Sequence, residues 1–269
     1  MMVSISANWL ASNIDDSNLV IIDSRGTLPY RYGHIKNALP LGVECVISVS
    51  DNGSNLVIDS QTAEKTFGDL GIDDSKSVVV YGEYPDPSVA RVVWTLLYYG
   101  HSNVRLLDIG YSQWQKEGFP CTNQIPIMAR KPTKGEGGIN SAGINFTAKA
   151  NHTMRADAQL VKEKQKDPNV VIIDARTAQE HFQARIPGSI LHNWEEGLGD
   201  HGKMIKDKER LQKDFEEKGI AKDKEIICYC HAGMRASHKY LQLKQAGFDN
   251  VRVYDGSIID WANRRNPLR

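Results

Sequence analysis

Apolar residues along this chain fall into two alternating rhythms. Short, nearly unbroken aliphatic runs occur at 18–23 (NLVIID), 77–81 (SVVVY) and 104–108 (VRLLD), each the right length for a strand buried on both faces of a parallel sheet. Between them, 61–70 and 88–99 read as helices, stopped by Gly71 and Gly100. The stretch 30–41 reads as a turn and another short strand running towards Val43. Strand and helix in alternation predict an α/β domain with a parallel sheet flanked by helices.

The second half of the chain repeats the first. Residues 171–176 (VIIDAR) echo 20–25 (VIIDSR), 185–190 (RIPGSI) echo 34–39 (HIKNAL), and 250–255 (NVRVYD) echo 103–108 (NVRLLD). Trp114 and Trp261 follow the last pair at the same spacing. Two homologous domains in tandem are therefore expected, over 1–124 and 146–269. Pro126, Pro132, Gly135, Gly137 and Gly138, interspersed with Lys and Arg, mark a linker at 125–145.

A length of 269 residues suits two such domains, and 41% hydrophobic with 25% charged residues describes an ordinary globular protein. Lys plus Arg equals Asp plus Glu at 33 each, so no charge excess points to nucleic acid or a membrane surface. No apolar run approaches membrane-spanning length. The opening residues show neither the basic nor the apolar region of a secretory signal. Four cysteines (Cys45, Cys121, Cys228, Cys230) do not form a disulfide framework in a chain this long, and a reducing cytoplasm is the expected location.

The candidate chemistry lies at 226–237 (IICYCHAGMRAS). Ile226 to Tyr229 read as the end of a buried strand, and from Arg235 a helix runs until Gly247 stops it. Between them is a tight loop, Cys230 to Met234, with a thiol at its first position. A loop entering a helix N-terminus presents backbone N–H groups without intrahelical partners, and the helix dipole adds partial positive charge. A cysteine there should be favoured as thiolate, the form that attacks sulfur. The competing readings are a small buried hydrophobe and half of a metal site. No second Cys pair or His cluster at zinc spacing accompanies Cys230, so no metal is expected.

This strand, Cys loop and helix resemble the active-site loop of the rhodaneses, a sulfurtransferase family, and the tandem repeat extends the resemblance over essentially the whole chain. The Cys-x4-Arg spacing from Cys230 to Arg235 also matters. Cys-based phosphatases use a loop one residue larger around a tetrahedral phosphate, so phosphatase or arsenate reductase chemistry is disfavoured. The resemblance implies two rhodanese-like domains and ping-pong transfer through a persulfide on Cys230, with no cofactor. The implied donor is a small anion, thiosulfate in the leading reading and 3-mercaptopyruvate in the runner-up; His231 and Arg235 sit closer to the thiosulfate pattern. The implied acceptor is cyanide, a thiol or a sulfur-accepting protein. A persulfide carrier with little turnover is the non-catalytic alternative.

Site residues follow from the same loop. His231, Ala232, Gly233, Met234 and Arg235 are expected to bind substrate, the small residues through their amides and Gly233 by allowing an unusual backbone angle. Asp174 and Arg176 recur as Asp23 and Arg25 in the half without a thiol, which favours a structural ion pair. The family often carries a further Arg where this chain has Glu180, and Arg185 is the expected substitute anion contact. Carrying the Asp108–Asp255 register back places Glu83 opposite Cys230, so the first domain is expected to be inactive. Cys228 is expected in the core, and Cys45 and Cys121 are given no role.

Overall fold

The computed structural model describes residues 3–125 and 146–269; the expected linker, Ile125 apart, lies outside the described residues. The first half runs β1 (Ser4–Ile5), α1 (Ala7–Ser12), β2 (Leu19–Asp23), α2 (Thr27–Tyr32), β3 (His34–Ile35) and β4 (Leu39–Pro40). It continues with β5 (Ile47–Val49), β6 (Asn55–Val57), α3 (Ser60–Gly68), β7 (Ser77–Tyr81), α4 (Ser88–Tyr98), β8 (Val104–Leu107), α5 (Tyr111–Lys116) and β9 (Cys121–Thr122). The second half runs β10 (Arg155–Ala156), α6 (Ala158–Lys164), β11 (Val170–Asp174), α7 (Ala178–Gln183) and β12 (Ile190–Leu191). It ends with α8 (Lys208–Glu217), β13 (Glu225–Tyr229), α9 (Met234–Ala246), β14 (Val251–Tyr254) and α10 (Ser257–Asn263).

Each half builds one parallel sheet with helices packed on it. The strand orders are β1-β8-β7-β2-β4 and β10-β14-β13-β11-β12, so the repeat read in the sequence is a repeat of topology. Parallel neighbours need crossover connections, which the helices supply. The central strands are buried on both faces: Ile226, Ile227, Cys228 and Tyr229 of β13 are all 0% exposed. Burying each of the large apolar side chains contributes roughly 1.5–3 kcal/mol. Trp114 and Trp261 are equivalent core anchors, their indole N–H groups donating to the carbonyls of Pro120 (3.2 Å) and Pro267 (2.7 Å).

The stretch 30–41 departs from the sequence reading. It begins inside the short helix α2, then gives β3 and β4. α2 is too short for its periodicity to register, and Pro29 sits in its first turn, where a missing N–H does no harm.

The compact units do not follow the chain midpoint. One unit comprises Ser4–Val46 and Ile58–Ala150; the other joins Ile47–Val57 to Asn151–Arg269. The β5–β6 hairpin is thus encoded in the first half and packed in the second unit. Its loop is 50–54, where the Gly53 N–H closes a turn on the Ser50 carbonyl (2.8 Å) and Gly53 sits at φ +79°. Asn52 Nδ2 donates to Asp260 Oδ1 (2.8 Å) and Ser54 Oγ to the same oxygen (3.2 Å). The Val57 N–H donates to Asp255 Oδ2 (2.8 Å), and Asn263 Nδ2 donates to the Asn52 carbonyl (2.7 Å). The hairpin therefore grips α10 and Asp255, the residue that follows β14.

Candidate active site

The site begins where β13 ends. Tyr229 is the last strand residue; its hydroxyl donates to Asp174 Oδ2 (2.7 Å) and accepts the Ile186 N–H (3.2 Å), which pins the strand end to β11 and to the segment before β12. Cys230 follows at once and Gly233 caps α9, so the expected strand, loop and helix are all present. Gly233 sits at φ +97°, a left-handed angle that costs an L-residue roughly 1–2 kcal/mol. In that conformation its N–H points at Cys230 Sγ, 3.1 Å away. Among the described residues this is the loop amide bonded to the sulfur, fewer than the ring of amides expected.

A second contact comes from below the loop. The Cys230 N–H donates to Ser257 Oγ (3.0 Å), and that hydroxyl lies 3.8 Å from Cys230 Sγ and 2.8 Å from the Tyr254 carbonyl. Ser257 itself is at φ +54°. Its neighbours close the floor: the Ile258 N–H donates to the Cys230 carbonyl (3.1 Å) and the Ile259 N–H to that of His231 (3.4 Å). The N-terminus of α10 thus carries the cysteine's backbone. Sequence reasoning missed Ser257. The repeat held the signal, because the matching residue beside Asp108 and Trp114 is Gly110, which has no hydroxyl.

The remaining loop residues divide by exposure. Cys230 is 1% exposed and Ala232 5%, Gly233 is buried, Met234 and Arg235 are half-buried, and His231 faces solvent. Arg235 meets a carboxylate of the protein itself: Nη1 donates to Glu180 Oε2 (2.7 Å) and Nη2 to Glu180 Oε1 (2.8 Å). This two-pronged pairing holds the Glu180 carboxyl down at about 2 and raises the guanidinium further above its ordinary value. Glu180 also accepts the Thr177 N–H (3.0 Å) and hydroxyl (2.9 Å), completing the capping box of α7.

A groove of about 400 Å³ opens beside the loop, walled by His231, Glu180, Arg176, Gln183, Ile258 and Ile259. Arg185 is not among its lining residues. Its Nη1 donates to the His181 carbonyl (3.3 Å), and its backbone pairs with that of Arg269. Arg176 closes on Asp174 (Nη2 to Oδ2, 2.6 Å) and on the Ala184 carbonyl (2.6 Å). Arg25 does the same with Asp23 (2.6 Å) and the Gly33 carbonyl (2.7 Å). The same device, present in both halves, anchors the loop after the strand.

The repeat register needs one correction. Tyr81 holds the place of Tyr229, its hydroxyl donating to Asp23 (2.6 Å) and accepting the Ile35 N–H (3.1 Å). The Tyr111 N–H donates to the Gly82 carbonyl as the Ile258 N–H does to that of Cys230. Gly82, not Glu83, is therefore opposite Cys230. The connection from β7 to β8 is one residue longer than its twin, so a register carried back from Asp108 slips by one.

All four cysteines are unpaired; Cys228 is fully buried in the core, and burial pushes its thiol up to about 12. Among the described residues no group of three or more His, Cys, Asp or Glu is placed to hold a metal, and no helix is long and apolar enough to cross a membrane.

Comparison with known proteins agrees with this architecture. The profile of the Rhodanese-like domain matches residues 6–117 and 157–264. A Mycobacterium leprae protein named "Putative thiosulfate sulfurtransferase" is 28% identical over 278 residues, covering 97% of this chain and 95% of its own length. The sulfur carrier protein TtuD of Thermus thermophilus is 27% identical over 279 residues, covering 97% and 94%. Among solved structures, the anaerobic ergothioneine biosynthesis enzyme from Chlorobium limicola superposes with a TM-score of 0.84 at 20% identity, over 99% of this chain and 69% of that one. That level of identity speaks to the fold alone.

Proposed function

The chain belongs to the rhodanese-like family, with one family domain in each half, and on that premise we propose that it moves a sulfane sulfur from thiosulfate to a thiophilic acceptor through a persulfide on Cys230. The observation carrying this reading is the Gly233 N–H aimed at Cys230 Sγ from 3.1 Å at the start of α9. In the first step the Cys230 thiolate attacks the outer sulfur of thiosulfate, a new S–S bond forms, and sulfite leaves with the electron pair of the broken bond. In the second step cyanide, a thiol or a protein acceptor attacks the outer sulfur, and the Cys230 thiolate is the leaving group. The Gly233 amide and the N-terminal dipole of α9 favour negative charge on the sulfur in both steps. Neither step calls for a metal or an organic cofactor.

Domain 146–269 performs this chemistry, and domain 1–124 is inactive because Gly82 brings no side chain to the position of Cys230. The name of the Mycobacterium leprae relative supports thiosulfate as donor, and that of the Thermus thermophilus relative supports a protein acceptor. His231, on the groove wall, borders the approach to the loop. Intact mass after thiosulfate treatment tests the reading. The parent gains the mass of one sulfur and a Cys230→Ser variant does not; equal behaviour of the two refutes it.

One observation favours a second reading. Cys230 is 1% exposed, which suits a persulfide stored for a dedicated partner. A sulfur adduct that persists in excess cyanide selects this carrier role over turnover.

A further inference from the structure

The guanidinium groups beside the loop both arrive with counter-ions. Arg235, close enough to Cys230 to interact with it electrostatically, gives both prongs of its fork to Glu180. Arg176, in the groove wall, is closed on Asp174. Glu180 itself lines the groove, and its carboxyl is held at about 2, so it is ionised at any working pH. A donor anion reaching Cys230 therefore meets a balanced pair, one member of which repels it.

We propose that Glu180 is a specificity-determining residue, which slows doubly charged sulfur donors, thiosulfate included, more than singly charged ones without excluding them. The proposal rests on the reading of Cys230 as nucleophile. Its electrostatic logic is simple. The repulsion from one carboxylate scales with the charge of the donor, whereas packing and reactivity at the S–S bond do not. Thiosulfate brings two charges; an alkanethiosulfonate anion offers the same outer sulfur with one. In either case the Cys230 thiolate forms the new S–S bond, and the old bond's electron pair leaves on sulfite or on alkanesulfinate. Charge and electrons balance without an outside oxidant.

Glu180→Gln gives a clean test. Glutamine keeps an oxygen for the Thr177 N–H and hydroxyl, so the cap of α7 survives while the charge is removed. The measurement is the second-order rate of Cys230 loading by thiosulfate and by methanethiosulfonate, in the full chain, at low and high salt. We expect Glu180→Gln to speed thiosulfate about tenfold and methanethiosulfonate about threefold, with the gap narrowing as salt rises. Arg235→Gln, which strands the Glu180 charge, should slow thiosulfate more than methanethiosulfonate. Equal factors for the two donors in Glu180→Gln, or a loss with thiosulfate, overturn the proposal. Should that variant fail to fold, equal losses in Arg235→Gln overturn it. Failure of the parent to take sulfur from either donor would instead strike the persulfide reading itself.

Discussion

After Tyr81 and after Tyr229 the chain leaves the same strand position, held by the same tyrosine–aspartate bond, and enters a helix by two different routes. The second route is Cys-His-Ala-Gly: it places a thiol first, uses Gly233 to turn an amide onto the sulfur, and rests on the Ser257 hydroxyl. The first is Gly-Glu-Tyr-Pro-Asp-Pro, with two residues that lack an N–H. Its Glu83 carboxylate accepts the Tyr84 and Ser112 N–H groups and the Ser112 hydroxyl. In place of Ser257 stands Gly110, where an added Cβ would lie 2.7 Å from the Tyr84 nitrogen. The frame that aims the loop is duplicated; what fills the loop is not. Under the proposed function, scaffold and chemistry are therefore separable in this chain.

The largest effect expected from breaking that contrast is at the thiol. Cys230→Ser should lower sulfur transfer by at least about three orders of magnitude, as removal of a nucleophile does. The reciprocal change, Gly82→Cys, should load no sulfur when combined with Cys230→Ser. The new Cβ would sit 3.0 Å from Val89 Cβ, and the first loop has no hydroxyl at Gly110. Sulfur found on the thiol introduced into the first loop of that double variant would erase the distinction drawn here.

Ser257→Ala comes next. It leaves the buried Cys230 N–H without its acceptor, a loss of about 1–3 kcal/mol, and removes the hydroxyl near the sulfur. Loading of Cys230 should slow about tenfold, measured by stopped-flow with thiosulfate; an unchanged rate would reduce Ser257 to packing.

Much of this was legible in the sequence, and what was not shares a cause. β13, its loop and α9 are contiguous, so strand pattern, Cys, Gly and helix could be read directly. The Glu180–Arg235 pair joins residues 55 apart, and Ser257 meets Cys230 across 27. No local periodicity encodes such contacts. Arg185 looked available for an anion by charge alone, yet its guanidinium reaches the His181 carbonyl. The β5–β6 hairpin was not read from the sequence, and nothing in 47–57 announced Asp260 as its partner, 208 residues from Asn52.

The two helices after the loops differ in what they bury, and pH should expose it. α4 buries Arg91 and Thr95, while α9 buries His238 and Lys239. Burial lowers His238 to about 3 and Lys239 to about 7; Lys239 Nζ lies 2.9 Å from His192 Nδ1, and that histidine, also buried, is lowered to about 4. In the unfolded chain these groups return to about 6.5 for His and about 10.4 for Lys and bind more protons than the native state below those values. Stability should therefore rise with pH from about 3 to about 6.5, and again from about 7 to about 8.5; above that the buried Cys228 thiol, which keeps its proton to about 12 while the unfolded chain loses its own, offsets the lysine. Urea midpoints against pH test this, and Lys239→Met should flatten the upper rise.

The smallest effect expected is at the hairpin. Asn52→Ala removes one bond to Asp260 and should cost about 1 kcal/mol in urea unfolding. Because Asp260 lies on the helix that begins at Ser257, sulfur loading should slow as well, about twofold. A stability loss with no change in loading would confine the hairpin to a structural role.

The central claim, that one loop of a duplicated frame holds the transferred sulfur, is tested most directly by peptide mapping after thiosulfate loading. The account predicts one added sulfur on the peptide carrying Cys228 and Cys230, with fragmentation placing it on Cys230 and nothing on Cys45 or Cys121. Sulfur placed on Cys228, on either first-half cysteine, or on none of the four would contradict it.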